Sequence, residues 1–149
     1  VPVVVVSLVG PSNPLLARVV AAARQRGTMV VAAVGNDGPA APPAYPASYP
    51  QAIAVTGVDP RGRPLIEAGR ARKLDYAAPG ADMLALAANG RAHEVRGTSF
   101  AVPFVAARIS AHLAEGHDRA IAAVDGEAKR GGRGTGRGIV CSACRTTVR

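Results

Sequence analysis

The apolar positions of this chain change period as it is read from the amino end. Val3 to Leu8 is a β-branched run broken only by Ser7, the pattern of a strand covered on both faces. Asn13-Pro14 then supplies an N-cap and a first helical position, and Leu15, Leu16, Val19, Val20 and Ala23 form one stripe opposite Arg18, Arg24 and Arg26. Gly27 ends that helix, and Thr28 to Val34 is a second buried strand. The three elements predict a βαβ unit with parallel strands and a right-handed crossover.

Gly35-Asn36-Asp37-Gly38-Pro39 cannot continue the second strand, so it forms a tight loop at the strand's carboxyl end, where open α/β sheets bind ligands. Residues 40–50 are rich in proline, and Tyr45-Pro46 and Tyr49-Pro50 are candidates for cis bonds. Ala52 to Val58 predicts a third strand and Asp59 to Arg63 a turn; Leu74 to Ala77 and Met83 to Ala87 predict shorter strands. A helix follows from Ser99 to about Leu113, with Phe100, Phe104, Val105, Ile109 and Leu113 as its apolar positions, and a shorter one lies near Arg119 to Val124. The fold class is α/β, a mostly parallel sheet with flanking helices. The sequence has no internal repeat.

The segment Gly97-Thr98-Ser99-Phe100-Ala101-Val102-Pro103 places a serine at the mouth of the long helix. A hydroxyl there lies beside first-turn N–H groups and the positive end of the helix dipole, where charge developing on a substrate oxygen is stabilised. Pro103 cannot donate to the Ser99 carbonyl, and its ring crowds that oxygen. Two readings are open from these residues alone: a nucleophile, or an ordinary capped helix start with Thr98 or Ser99 accepting a first-turn N–H.

Length allows one domain with its own core, and the 48% apolar share marks a globular chain with no run long enough to span a bilayer. Its opening at Val1-Pro2, without an initiator Met, gives the expectation that sequence upstream is missing or removed. The net charge of +8 is concentrated at one end. Six basic residues and no acid lie from Lys129 onward, leaving 12 basic against 10 acidic residues before it. Residues 129–149 therefore read as a basic, Gly-rich tail, solvated and flexible, after a body at 1–128. The tail lacks the interleaved aromatics of a single-strand binder, so nucleic acid is not an expected partner. Cys141 and Cys144 form a lone Cys-x-x-Cys pair, short of ligands for structural zinc and misplaced for a redox helix. A local disulfide in an oxidising compartment is the preferred reading.

Five segments in order resemble the carboxyl-terminal half of the catalytic domain of subtilisin-like serine proteases, the subtilases. Ser7-Leu8-Val9-Gly10-Pro11 is similar to the family's substrate-binding strand, and Ala32-Ala33-Val34-Gly35-Asn36-Asp37-Gly38 to its oxyanion-hole loop. Tyr45-Pro46 through Val55 resembles the segment that follows. Tyr76-Ala77-Ala78-Pro79-Gly80 resembles the turn before the catalytic region, and Gly97 to Pro103 the nucleophile motif. The resemblance runs from about Val4 to Ile109 and implies part of a doubly wound, three-layer subtilisin-like fold.

It implies that Ser99 is the acyl-forming nucleophile, with its backbone N–H and the Asn36 amide holding the oxyanion. Ser7, Leu8, Val9 and Gly10, with Ala33, Val34 and Gly35, would form the walls gripping a peptide or protein substrate, the former by strand pairing. Val9 stands where the family often has glycine, and Val102 replaces a small residue, so both bear on packing and substrate preference. The resemblance also suggests export, to the outside or the periplasm. It suggests no cofactor beyond a structural calcium ion near residues 44–54, where no acidic cluster calls for one.

The family's Asp and His motifs, which precede the serine, do not occur in these residues. His112 lies thirteen residues beyond Ser99, about 20 Å along a helix, and His93 has no acidic motif to orient it. A serine without a base is a poor nucleophile at neutral pH. The expectation is a fragment that is inactive alone and whose partner is the missing amino-terminal half of the catalytic domain. The alternative is a non-catalytic, peptide-binding or regulatory relative.

Overall fold

In the computed structural model, residues 1–145 are described, and they form three layers around a parallel sheet. The strands β1 (Val3–Val6), β2 (Met29–Ala33), β3 (Ala52–Val58) and β4 (Tyr76–Pro79) lie in that spatial order, every neighbouring pair parallel. Helix α1 (Pro14–Gln25) covers one face, and α2 (Thr98–His112) with α3 (His117–Glu127) covers the other. An antiparallel hairpin, β5 (Met83–Leu86) and β6 (Ala92–Val95), leads into α2.

The local signals explain these elements. Asn13 accepts the N–H groups of Leu15 and Leu16 at 2.9 and 3.0 Å, and Gly27 turns the chain at φ +82°. Along β2 the side chains alternate between layers. Met29, Val31 and Ala33 meet α2, whereas Val30 packs with Val20 of α1. Val102, Val105 and Ile109 of α2 are fully buried, each worth roughly 1.5–3 kcal/mol against exposure. Val102 fits because Ala33, Ala78, Ala101 and Ala106 leave room in the same cluster.

Four expectations change. β1 is an edge strand, with Val4 38% and Val5 44% exposed, so it is not covered on both faces. The outer part of the α1 stripe is open too, with Leu15 70% and Val19 55% exposed, because no layer lies over that end of the helix. In α2 the buried positions are Ala101, Val102, Val105, Ala106 and Ile109, while Phe100 is exposed, since the helix turns its smaller residues to the sheet. β6 was not foreseen, although Asn89-Gly90 between apolar runs is a hairpin signal; Gly90 has φ +75°.

The fourth change concerns the carboxyl end, where residues 129–145 are not a solvated tail. Ala77 N–H donates to the Gly138 carbonyl at 2.9 Å and Val140 N–H to Ala77 at 2.8 Å, extending the sheet beyond β4, and Val140 is fully buried. Arg137 donates to buried Asp75 at 3.1 Å and to Asp125 at 2.9 Å, and stands over the Tyr76 ring. Asp75 also accepts the Ala54 N–H at 2.9 Å and faces Lys73 at 3.1 Å, so its buried charge is compensated. The apolar pair Ile139-Val140 and the acids awaiting Arg137 explain why this basic segment folds back. Cys141 and Cys144 are disulfide-bonded, and the Tyr45-Pro46 bond is cis. Residues 146–149 of the expected tail lie outside the described residues.

Two outcomes follow from this packing. Arg137→Ala should cost about 3 kcal/mol in denaturant unfolding, because it leaves Asp75 underpaired, whereas Arg133→Ala on the exposed part of the same segment should change stability by less than about 0.5 kcal/mol. Equal costs for the two would contradict the packed segment. Glu127 joins α3 to α2 through Arg108 and His112, whose hydrogen bonds hold its carboxyl at about 2, below the ordinary 4.5. Since the folded-state value is the lower one, this contribution is present above pH 4.5 and is lost as pH falls toward 2. Glu127→Gln should therefore be less stable than the parent by under about 1 kcal/mol at pH 6, for a surface pair, with the two melting curves converging near pH 2.

Candidate functional site

The carboxyl ends of β1 and β2 and the amino end of α2 meet at one place. Ser7 follows β1, Asn36 stands in the loop after β2, and Ser99 lies in the first turn of α2. Their approach is fixed by main-chain groups that the secondary structure leaves unpaired.

Pro103 supplies the first of these. Lacking an N–H, it leaves the Ser99 carbonyl without a helical donor, and the Ser7 hydroxyl takes that place, donating to the Ser99 carbonyl at 3.0 Å. The Ser99 hydroxyl in turn donates toward the Ser7 carbonyl at 3.5 Å. The serine ahead of the helix and the serine within it are thus paired through each other's main chain.

The second is the start of α2. Thr98 N–H, which has no intrahelical acceptor, donates to Asn36 Oδ1 at 2.9 Å. The Thr98 hydroxyl donates to the Gly35 carbonyl at 3.1 Å and contacts Asn36 Oδ1 at 3.2 Å. Because an N–H can only donate, these bonds fix which end of the carboxamide is oxygen, and Nδ2 is the end they leave over. That amide borders Gly97, where a Cβ would lie 3.2 Å from Nδ2; Gly97 has φ +142° besides. Ser99 N–H, also in the first turn, has no intrahelical carbonyl within reach. One exposed amide, one first-turn N–H and one half-buried hydroxyl therefore share a corner of the surface.

The remaining residues singled out from sequence divide. Leu8, 78% exposed, and Val9, 41% exposed, run beside this corner, and Val9 Cγ1 stands 3.2 Å from where a Cβ on Gly35 would be. An apolar cleft of about 460 Å³, lined by Val4, Leu8, Val9, Leu16, Val19 and Tyr45 among others, lies under them. Gly10 has both main-chain groups engaged by Tyr45, at 3.0 and 3.1 Å, so it is a fixed end of the segment and has no main-chain group left for an added strand. Ala33, Val34 and Gly35 are buried, and the Gly35 carbonyl is held by Gly69 N–H at 2.8 Å as well as by Thr98. From sequence, Thr98 was only a candidate to accept a first-turn N–H, whereas here it donates; Gly80 was only part of a turn motif, and Gly69 was not singled out. Gly69 and Gly80 each lie against main chain too closely for a side chain: a Cβ at Gly69 would run into the Val34 carbonyl, and one at Gly80 would lie 2.8 Å from Gly57 Cα and 3.0 Å from the Gly97 carbonyl.

No described histidine is engaged with Ser99. His93 is exposed on β6, His112 bonds Glu127 at 2.8 Å, and His117 bonds the Gly27 carbonyl at 2.7 Å. The corner can bind and polarise a carbonyl, but these groups give its hydroxyl no base. Among the described residues no three His, Cys, Asp or Glu side chains cluster as metal ligands, and residues 44–54 carry no acid. The donor set does not fit a carboxylate-built calcium site there.

The chain is 36% identical over 116 residues to the major intracellular serine protease of Bacillus subtilis (strain 168), covering 74% of this chain and 36% of that one. It is 36% identical over 108 residues to subtilisin J of Geobacillus stearothermophilus, covering 70% and 28%. Thus it spans about a third of the length of these relatives. Its fold superposes on the self-cleaved protease domain of PatA with a TM-score of 0.79 at 25% identity, covering 95% of this chain and 59% of that one. A protease from Pseudoalteromonas arctica shares the fold with a TM-score of 0.80 at 23% identity, covering 95% and 49%. The profile of the subtilase family matches residues 6–127, and the chain belongs to that family.

Proposed function

We propose that this chain carries the nucleophile and the oxyanion hole of a serine endopeptidase. Ser99 Oγ attacks the scissile carbonyl, and the resulting oxyanion is held by Ser99 N–H and Asn36 Nδ2. The C–N bond then breaks to leave an acyl ester on Ser99 and a free amine, and water hydrolyses the ester. The observation that supports the reading is the Thr98 N–H bond to Asn36 Oδ1, which leaves Nδ2 of that carboxamide outside the bond, next to Gly97 at the start of the helix that bears Ser99. A peptide lying along Ser7 to Val9 would extend the sheet from the open edge of β1.

The proton leaving Ser99 needs a base that none of the described histidines supplies. The partner in this proposal is an amino-terminal half of the catalytic domain, which would bring Asp and His and cover the exposed faces of β1 and α1. Export belongs to the same proposal, supported by the Cys141–Cys144 disulfide, which suits an oxidising compartment. No described helix is long and apolar enough to cross a membrane.

A fluorophosphonate probe tests the assignment. The 149-residue chain alone should label slowly or not at all, and labelling confined to Ser99 should appear once an Asp- and His-bearing subtilase segment is joined to it. In that joined protein Asn36→Leu should lower the rate of peptide hydrolysis by about 10² to 10³, the range found for such an amide in subtilisin, itself a member of this family. Rapid labelling of the isolated chain would sink the incomplete-site reading. Absence of labelling in the joined protein, with peptide binding retained, would favour the alternative of a non-catalytic peptide-binding relative, which a Ser99 hydroxyl without a described histidine beside it also fits.

A further inference from the structure

Glu67 touches both sides of the Ser99 site without belonging to either. Its main-chain carbonyl accepts the Gly38 N–H at 2.9 Å, two residues beyond Asn36. Its carboxylate takes Arg96 Nε at 2.7 Å and Nη2 at 3.0 Å, a two-pronged fork that fixes direction as well as distance. Arg96 is the residue from which Gly97 swings the chain into α2. The fork keeps the Glu67 carboxyl below the ordinary carboxylate range, so the pair stays charged at neutral pH.

We propose that Glu67 is a positioning residue for the Ser99 site, spacing the Asn36 loop from the start of α2 by holding Gly38 with its carbonyl and Arg96 with its carboxylate. The inference rests on the peptidase reading for its purpose, because one oxyanion must meet Asn36 Nδ2 and Ser99 N–H together, and a misplacement of about 1 Å is enough to cost about 10² in rate. As a contribution to stability the pair is small, since Arg96 and Glu67 keep 49% and 28% of their side-chain exposure. Geometry and stability are therefore separable by experiment.

Amide NMR and hydrogen exchange on the 149-residue chain distinguish them. Glu67→Gln keeps the main-chain bond and loses the charged fork. It should shift the Gly97, Thr98 and Asn36 side-chain amide resonances and speed exchange at Thr98 about two- to fivefold, the size of a half-exposed ion pair. The Val31 and Val55 amides in the sheet should be unchanged. The exchanged pair Glu67→Arg with Arg96→Glu should bring Thr98 back toward its parent value. Unmoved Thr98 and Asn36 resonances in Glu67→Gln would overturn the proposal, as would an equal change across β2 and β3, or a charge exchange that restores nothing. No turnover enters these readings, so they stand or fall apart from the labelling of Ser99.

Discussion

Everything at the functional corner depends on Thr98, a fully buried residue with two donors and a single place to put them. A helix start leaves its first N–H groups without partners, and burying one unsatisfied would cost about 1–3 kcal/mol. The Asn36 carboxamide and the Gly35 carbonyl meet that need. In doing so they decide which end of the Asn36 carboxamide is oxygen and which is amide. The same bonds that satisfy the helix start orient the carboxamide proposed above as an oxyanion donor. The two readings open on residues 97–103 alone, a structural cap and a catalytic motif, are therefore not exclusive, because the side chain that satisfies the helix start belongs to a third residue, Asn36.

The missing N–H of Pro103 works in the same direction. A helix of fifteen residues could have been built without it, and a proline in its interior ordinarily weakens a helix by about 3 kcal/mol. Position moderates that cost. The freed carbonyl belongs to Ser99 in the first turn, and Ser7 reaches it. β1 and α2 are joined at their ends by a bond that neither could make within itself, and the sheet edge is brought into register with the hydroxyl.

Much of this was legible in the sequence, and the reasons differ by element. The βαβ unit, its Asn13 cap and the loop after β2 rest on local rules of period, capping and turn formation, and they stand in the structure. The signals in Gly97 to Pro103 and Gly35 to Gly38 were chemical as well as conformational, so Ser99 and Asn36 could be proposed for the site from the sequence. Thr98 could not, because its role depends on which carbonyl lies opposite it 63 residues earlier in the chain. Glu67 and Arg96 escaped for the same reason, their meeting depending on two loops of no fixed period. The burial of residues 138–140 was hidden by composition. Glycine and arginine read as solvated until Asp75 and Asp125 are seen to wait for Arg137, and the exposed outer stripe of α1 is apolar by pattern but uncovered by anything in residues 1–145.

The hydrogen bond from the Ser7 hydroxyl to the Ser99 carbonyl ties the segment that leaves the open edge of β1 to the main chain of the proposed nucleophile. A strand or polypeptide that paired with that edge would therefore restrain the Ser99 main chain through this one bond.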